Sequence, residues 1–230
     1  MGGTSFMGCN IAIDGPAGAG KSTIARRVAG ELSFIYVDTG AMYRAMALYM
    51  IRNGVTKENE DEIEKICEGA RISIKYVNKE QTVLLNGENV NAYLRTEEVG
   101  NMASVSSAKP AVRAHLLALQ RTLAAENDVV MDGRDIGTTI LPDADVKIYL
   151  TASARTRALR RLRELEEKGQ KCSLEEVERD IIERDERDMN REVSPLCQAK
   201  DAVLVDSSEM SIQEVVDEIL RIYREKVDRA

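Results

Sequence analysis

The chain has 230 residues, 43% of them hydrophobic and 31% charged, and carries a formal net charge of −7. This composition excludes a disordered chain, no apolar run reaches the length of a membrane span, and the acidic balance argues against a nucleic-acid polymer as partner. The length allows a sizeable core in a single domain, and four cysteines without C-x-x-C spacing fit a reduced cytoplasmic protein better than a zinc site or disulfide framework.

Met1 to Met7 lack the basic and apolar regions of a secretory signal, and residues 1–6 read equally as native sequence or as an expression remnant with Met7 the natural start. An apolar run, Cys9 to Ile13, then predicts a first strand ending at Asp14. Gly15, Pro16, Ala17, Gly18, Ala19, Gly20, Lys21 and Ser22 follow, with Thr23 opening a helix that runs to about Leu32. The spacing G-x-x-x-x-G-K-[ST] between strand and helix predicts a phosphate-binding loop. Glycines let backbone N–H groups curl around phosphate oxygens, Lys21 adds a point charge, and the Ser22 hydroxyl suits Mg²⁺. The N-terminal end of the helix adds unpaired N–H groups and a positive dipole end. These features imply a nucleoside triphosphate site.

Phe34 to Val37 reads as a second buried strand, followed by helices from about Tyr43 to Arg52 and from about Lys57 to Gly69. Ile63, Ile66 and Cys67 mark the inner face of the latter. Ile72 to Val77, Thr82 to Leu85 and Glu88 to Val90 then read as short strands, the last two joined by Asn86-Gly87, a strong hairpin signal. A small antiparallel sheet therefore interrupts an α/β chain. Helical patterning resumes from Glu97 to about Ala125 with a break near Pro110, and the sole histidine, His115, sits in it as an ordinary surface or half-buried residue.

Asp128 to Met131, Val146 to Leu150 and Ala202 to Val205 complete five apolar strands, which predict a parallel sheet covered on both faces. Between the last two, Arg155 to Lys171 carries seven basic and three acidic side chains. A second helix opens there with a Ser173/Glu176 capping box, and Arg184, Asp188 and Arg191 share a face at spacings of four and three. Alone this run reads as a salt-bridged solvated face; beside a phosphate loop it also suits a closing helical hairpin. The final helix opens at Ser211 with a second capping box to Glu214.

A guanine-reading N-K-x-D and a D-x-x-G switch are both missing, which turns the reading from a switch GTPase to an enzyme with a small phosphorylated acceptor. Arginines spread along the chain suit such an acceptor, because their forks match phosphate geometry.

The segments GPAGAGKST (15–23), DTGAMYRA (38–45), PAVRAHLLALQR (110–121), DGRDIGT (132–138), PDADVKIYL (142–150) and ERDERDMNR (183–191) together closely resemble the bacterial cytidylate kinase family. The resemblance implies a three-layer α/β/α P-loop kinase core with a five-stranded parallel sheet (8–38, 110–153, 193–230). It adds a monophosphate-binding excursion carrying the small antiparallel sheet (39–109) and a helical lid (154–192). It implies ATP-dependent phosphorylation of CMP and dCMP with Mg²⁺, by a monomer. On this resemblance Ser104, Arg113 and Asp135 read cytosine, and Arg44, Arg134 and Arg191 clamp the acceptor phosphate. Arg184 and Asp188 contact ribose, Thr39 and Tyr43 wall the pocket, and Arg157, Arg160 and Arg161 are lid arginines. Lys21, Arg134, Arg184 and Arg191 are the expected catalytic cations, and Asp132 joins Ser22 as the expected metal partner. A carboxylate accepts from cytosine N4 and an arginine donates to N3 and O2, a pattern uracil inverts. Other monophosphate kinases, acting on UMP or AMP, and a non-catalytic nucleotide-binding module are the alternatives.

Overall fold

The computed structural model describes residues 8–56, 58–167 and 169–227. The expectation about residues 1–6 lies outside them, as does the predicted start of the third helix at Lys57. Two compact units emerge, one formed by residues 9–34 with 130–230 and the other centred on residues 35–129.

The first unit holds β1 (Asn10–Asp14) and α1 (Lys21–Leu32). After the excursion through the second unit it resumes with β6 (Val129–Gly133), β7 (Val146–Thr151), α6 (Ala154–Glu167), α7 (Leu174–Asn190), β8 (Val203–Asp206) and α8 (Ile212–Val227). The second unit opens on β2 (Ile35–Asp38) and α2 (Thr39–Arg52), then α3 (Glu60–Ile66), β3 (Ile72–Val77), β4 (Glu80–Leu85) and β5 (Glu88–Asn89). It closes with α4 (Glu97–Ser106) and α5 (Pro110–Glu126). The five-stranded parallel sheet has the order β2-β6-β1-β7-β8, and β3-β4-β5 form the predicted small antiparallel sheet.

The apolar strands are buried as their composition demands: Ile11, Ala12, Ile13, Val129, Val130 and Met131 have no exposed surface. Parallel pairing sets Asp14 opposite Tyr149 and Ile13 opposite Ile148. The register thus delivers the last β1 residue to the point where the phosphate loop leaves the sheet. At Gly15 a side chain is impossible, since a Cβ would fall 1.9 Å from the Leu150 carbonyl oxygen.

In the second unit, Asn86 and Gly87 take positive φ of 50° and 88°, the conformation a two-residue hairpin requires. Asn78 and Lys79 make the other hairpin turn in the same way (φ 52° and 65°). Helix α3 buries Ile63 and the tight turn that follows it, Cys67–Gly69, buries Cys67, whereas Ile66, expected on the same inner face, is half-buried. The break before Pro110 is present, proline occupying the first turn of α5 where its missing N–H costs nothing.

Two boundaries differ informatively from the sequence pattern. Helix α2 begins at Thr39, four residues earlier than predicted, because the Asp38 carboxylate accepts from Ala41 N at 2.9 Å and caps it. Helix α7 stops at Asn190, so Arg191 lies past its end in extended conformation, its Nε donating to Ser194 O at 2.7 Å. Both predicted capping boxes form, Ser173 with Glu176 and Ser211 with Glu214. The α6–α7 hairpin has its own small core of Ala158, Val177 and Ile181. Burial of the two larger side chains there contributes roughly 1.5–3 kcal/mol each.

Candidate active site

The phosphate loop of the first unit is held from three directions. Gly18 and Gly20 adopt positive φ (74° and 86°), the left-handed conformation by which a loop can curl its N–H groups around an anion. Helix α1 starts at Lys21 with a glycine N-cap, no capping side chain and no acidic residue in its first turn, so nothing competes there with an anion. The Ala17 peptide is gripped at both ends: its N–H donates to Asp185 Oδ1 (3.4 Å) and its carbonyl accepts from Arg157 Nη1 (2.9 Å). Arg157 and Asp185 pair at 2.6 Å, both side chains buried, and Arg157 Nε also donates to Ala152 O.

Lys21 is buried and donates to Pro16 O at 2.7 Å within the loop. Burial, then the nearby Arg134 charge, pushes its pKa well below the ordinary lysine value, against the pull of Asp132, Asp14 and Asp188. Approaching phosphate would reverse that balance. Ser22 Oγ donates to Asp132 Oδ2 at 3.1 Å, bringing the expected metal partners together from α1 and the end of β6.

The run Asp132-Gly133-Arg134-Asp135 carries the remaining charge. Arg134 Nε donates to Asp188 Oδ2 at 2.8 Å and Nη1 to Gly133 O. Burial works against the Arg134 charge, yet Asp188 more than offsets it and holds the guanidinium pKa above its usual value. Burial likewise opposes ionisation of Asp188, but Arg134, with Arg184 and Arg191, holds its pKa below the carboxylate norm. Asp135 is 3% exposed, and its Oδ1 lies 3.5 Å from Arg191 Nη2. Asp14 accepts from Ile136 N and Gly137 N, both at 2.7 Å. Burial nevertheless raises its pKa to about 6, the backbone bonds opposing.

Of the three arginines expected in a lid, Arg157 bonds to the phosphate loop at Ala17 O and to Asp185. Arg160 reaches Ser207, its Nη2 donating to the carbonyl at 2.7 Å, while the exposed Arg161 pairs with Glu164.

In the second unit the Arg113 guanidinium lies over the Tyr43 ring at 5.5 Å and donates to Ser107 O at 3.1 Å. Ser104 sits one turn away, its carbonyl accepting from Ser107 Oγ. Thr39 is buried in the first turn of α2, and the Arg44 guanidinium folds over Gly40, where a Cβ would meet Nη1 at 3.2 Å. Asp38 organises this end: it accepts from Arg95 Nη2 (3.1 Å), while Gln81 pairs with its backbone on both sides.

Sequence reasoning missed Asp14, Asp38, Gln81, Arg95 and Asp185. Asp185 did carry a signal, because Val177, Ile181, Asp185 and Asp188 form one buried stripe on α7. A carboxylate in an apolar stripe demands a buried cation. Asp14 carried another, as an acid ending an otherwise apolar strand.

A strand, a glycine-rich loop and a helix with this lysine and hydroxyl define the chain as a P-loop α/β phosphate-binding protein. The comparisons with known proteins narrow the class. The family model for cytidylate kinase matches residues 11–225, and the chain belongs to the cytidylate kinase family, a family of phosphotransferases. The cytidylate kinase of Carboxydothermus hydrogenoformans is 50% identical over 218 residues, spanning 95% of this chain and 98% of that one. That of Alkaliphilus metalliredigens is 49% identical over 216 residues, covering 94% and 96%. That of Thermotoga maritima is 44% identical over 223 residues, covering 96% and 100%. Among the described residues no helix is long and apolar enough to cross a membrane.

Proposed function

We propose that this chain transfers the terminal phosphoryl group of ATP to CMP or dCMP by direct in-line displacement, in pyrimidine nucleotide metabolism. The observation that carries the reading is one buried charged cluster beside the loop, in which Lys21 feels Arg134, Asp132 and Asp188 while Asp135 faces Arg191.

Lys21 exchanges Pro16 O for donor phosphate oxygens, a swap that restores its charge to a favourable setting. Arg134 and Arg191 clamp the acceptor phosphate, while Arg184 and Asp188 contact ribose and Asp188 aligns Arg134 through their 2.8 Å bond. The acceptor oxygen is already anionic near neutral pH, so alignment and charge stabilisation suffice and no general base is required. The Ser22 hydroxyl and Asp132 carboxylate are a hard oxygen pair that fits Mg²⁺, which keeps waters and takes few protein ligands. When bound, Mg²⁺ neutralises charge on the donor phosphate oxygens.

Asp135 accepts from the cytosine N4 amino group; against uracil it would face an oxygen lone pair. The roles of Thr39, Tyr43, Arg44, Ser104 and Arg113 in acceptor binding, and of Arg157, Arg160 and Arg161 in a closing lid, rest on the family resemblance. In the same reading the chain works as a cytoplasmic monomer on small-molecule substrates.

ADP formation measured with CMP, dCMP, UMP and AMP as acceptors tests the proposal. CMP and dCMP should be used far faster than the others. Comparable rates with UMP would remove the role of Asp135, and no acceptor-dependent ADP would leave a nucleotide-binding module.

A further inference from the structure

Asp135 stands at the N-cap of a five-residue wide helical turn, Ile136–Ile140, whose carbonyl–amide bonds include Ile140 N to Asp135 O and Leu141 N to Ile136 O. An aspartate in that position ordinarily folds its own carboxylate back onto the first free N–H groups of the turn. Here Asp135 makes no such cap. The first two N–H groups, Ile136 N and Gly137 N, instead go one each to the two carboxylate oxygens of Asp14, 122 residues earlier, at 2.7 Å. Asp14, Asp135, Ile136 and Gly137 are all buried.

We propose that Asp14 is a positioning residue for Asp135: by capping the turn from another strand, it sets the Asp135 carboxylate towards Arg191 and the acceptor base instead of its own backbone. The inference rests on the proposed reading of cytosine by Asp135. Three observations support the device. The two bonds are charge-assisted and fix adjacent amides, so they determine the direction in which the chain leaves Asp135. Asp14 is itself fixed, as the last residue of β1 in register with Tyr149 of β7. Gly137 keeps the turn against it, because a Cβ there would sit 3.1 Å from Lys147 Cδ and 3.4 Å from Asp14 Oδ2. Lys147 cannot easily give way, being buried and tied to Pro142 O and to Asp201. The phosphate loop, which starts at Gly15, and the base reader therefore hang from the same strand end, and selection of the acceptor depends on a residue that touches neither substrate.

The test compares kcat/KM for CMP and for UMP in the wild type, Asp14→Asn, Gly137→Ala, Asp135→Asn and the Asp14→Asn/Asp135→Asn double variant. Alongside it, binding of a non-hydrolysable ATP analogue with Mg²⁺ is titrated. An asparagine at 14 puts an NH2 donor where one of the two accepting oxygens stood, so the paired bonds to Ile136 N and Gly137 N cannot both form as they are. Asp14→Asn and Gly137→Ala should each lower the CMP-to-UMP ratio about tenfold or more, chiefly through KM for CMP. ATP analogue affinity should change less than about threefold, and Asp14→Asn should add nothing further on the Asp135→Asn background. If the ratio collapses in Asp135→Asn but survives in Asp14→Asn and Gly137→Ala, the role of Asp14 is overturned and the reading of Asp135 stands. If Asp135→Asn leaves the ratio unchanged, both fall. A loss of ATP affinity parallel to the loss with CMP would make Asp14 general support for the loop and overturn the proposal. Should Asp14→Asn fail to fold, Gly137→Ala decides, since it moves the same turn without removing a charge.

Discussion

Replacing Asp185 by alanine should separate what the α6–α7 hairpin does for stability from what it does for the phosphate loop. The Arg157 guanidinium has side-chain exposure of 7% and faces Asp185 at 2.6 Å, with the Ala17 and Ala152 carbonyls as its other acceptors. Removing the carboxylate leaves a buried cation held only by neutral oxygens, which costs about 3–5 kcal/mol. For a chain of this size that is roughly 10 °C in the melting temperature of the ligand-free protein. Arg157→Met/Asp185→Leu removes both charges and fills the space, so most of that loss should be recovered. The loop should not recover, because neither side chain would then hold the Ala17 peptide. Titration with a non-hydrolysable ATP analogue should accordingly show affinity weakened about tenfold in single and double variants alike. A single variant that loses less than about 1 kcal/mol, or a double variant that binds the analogue as tightly as wild type, would refute the clamp.

Other outcomes follow from the same geometry. Gly15→Ala should abolish ATP binding or folding, because its Cβ would lie 1.9 Å from the Leu150 carbonyl oxygen; a folded variant with wild-type affinity in the same titration would contradict this. Asp135→Ala should cut kcat/KM for CMP by on the order of a hundredfold while sparing the affinity for the ATP analogue, and unchanged CMP turnover would oppose the assigned role. Asp14 gives a pH signature in urea denaturation. Its folded pKa of about 6 exceeds the ordinary 3.8, so between those values the folded state keeps a proton that the unfolded state has lost. Stability relative to Asp14→Asn should therefore fall by about 3 kcal/mol as pH rises through that window and level off above it; a rise there would contradict the burial argument.

The strands were legible because buried parallel strands must be continuously apolar, and Val129 to Met131 could belong nowhere else. Capping boxes and Asn86-Gly87 were legible because they are local chemistry, complete within four residues. The start of α2 was hidden by Gly40, a poor helix former that reads as a turn until the Asp38 cap is in place. The phosphate loop declared itself by spacing. The pairings around it did not, since Arg157 and Asp185 are separated by 28 positions and Asp14 and Gly137 by 123. Such contacts arise only once the sheet has brought β1 and β6 into one unit and packed α6 on α7. The charged run of α7, which as sequence suits a solvated face, instead turns Asp185 inward to the buried Arg157 and Asp188 to the half-buried Arg134.

A crystal structure with CMP and a non-hydrolysable ATP analogue would interrogate the account at its centre. It should show cytosine N4 within hydrogen-bonding distance of the Asp135 carboxylate, with Arg134 and Arg191 on the acceptor phosphate. A pyrimidine ring bound out of reach of Asp135 would contradict it.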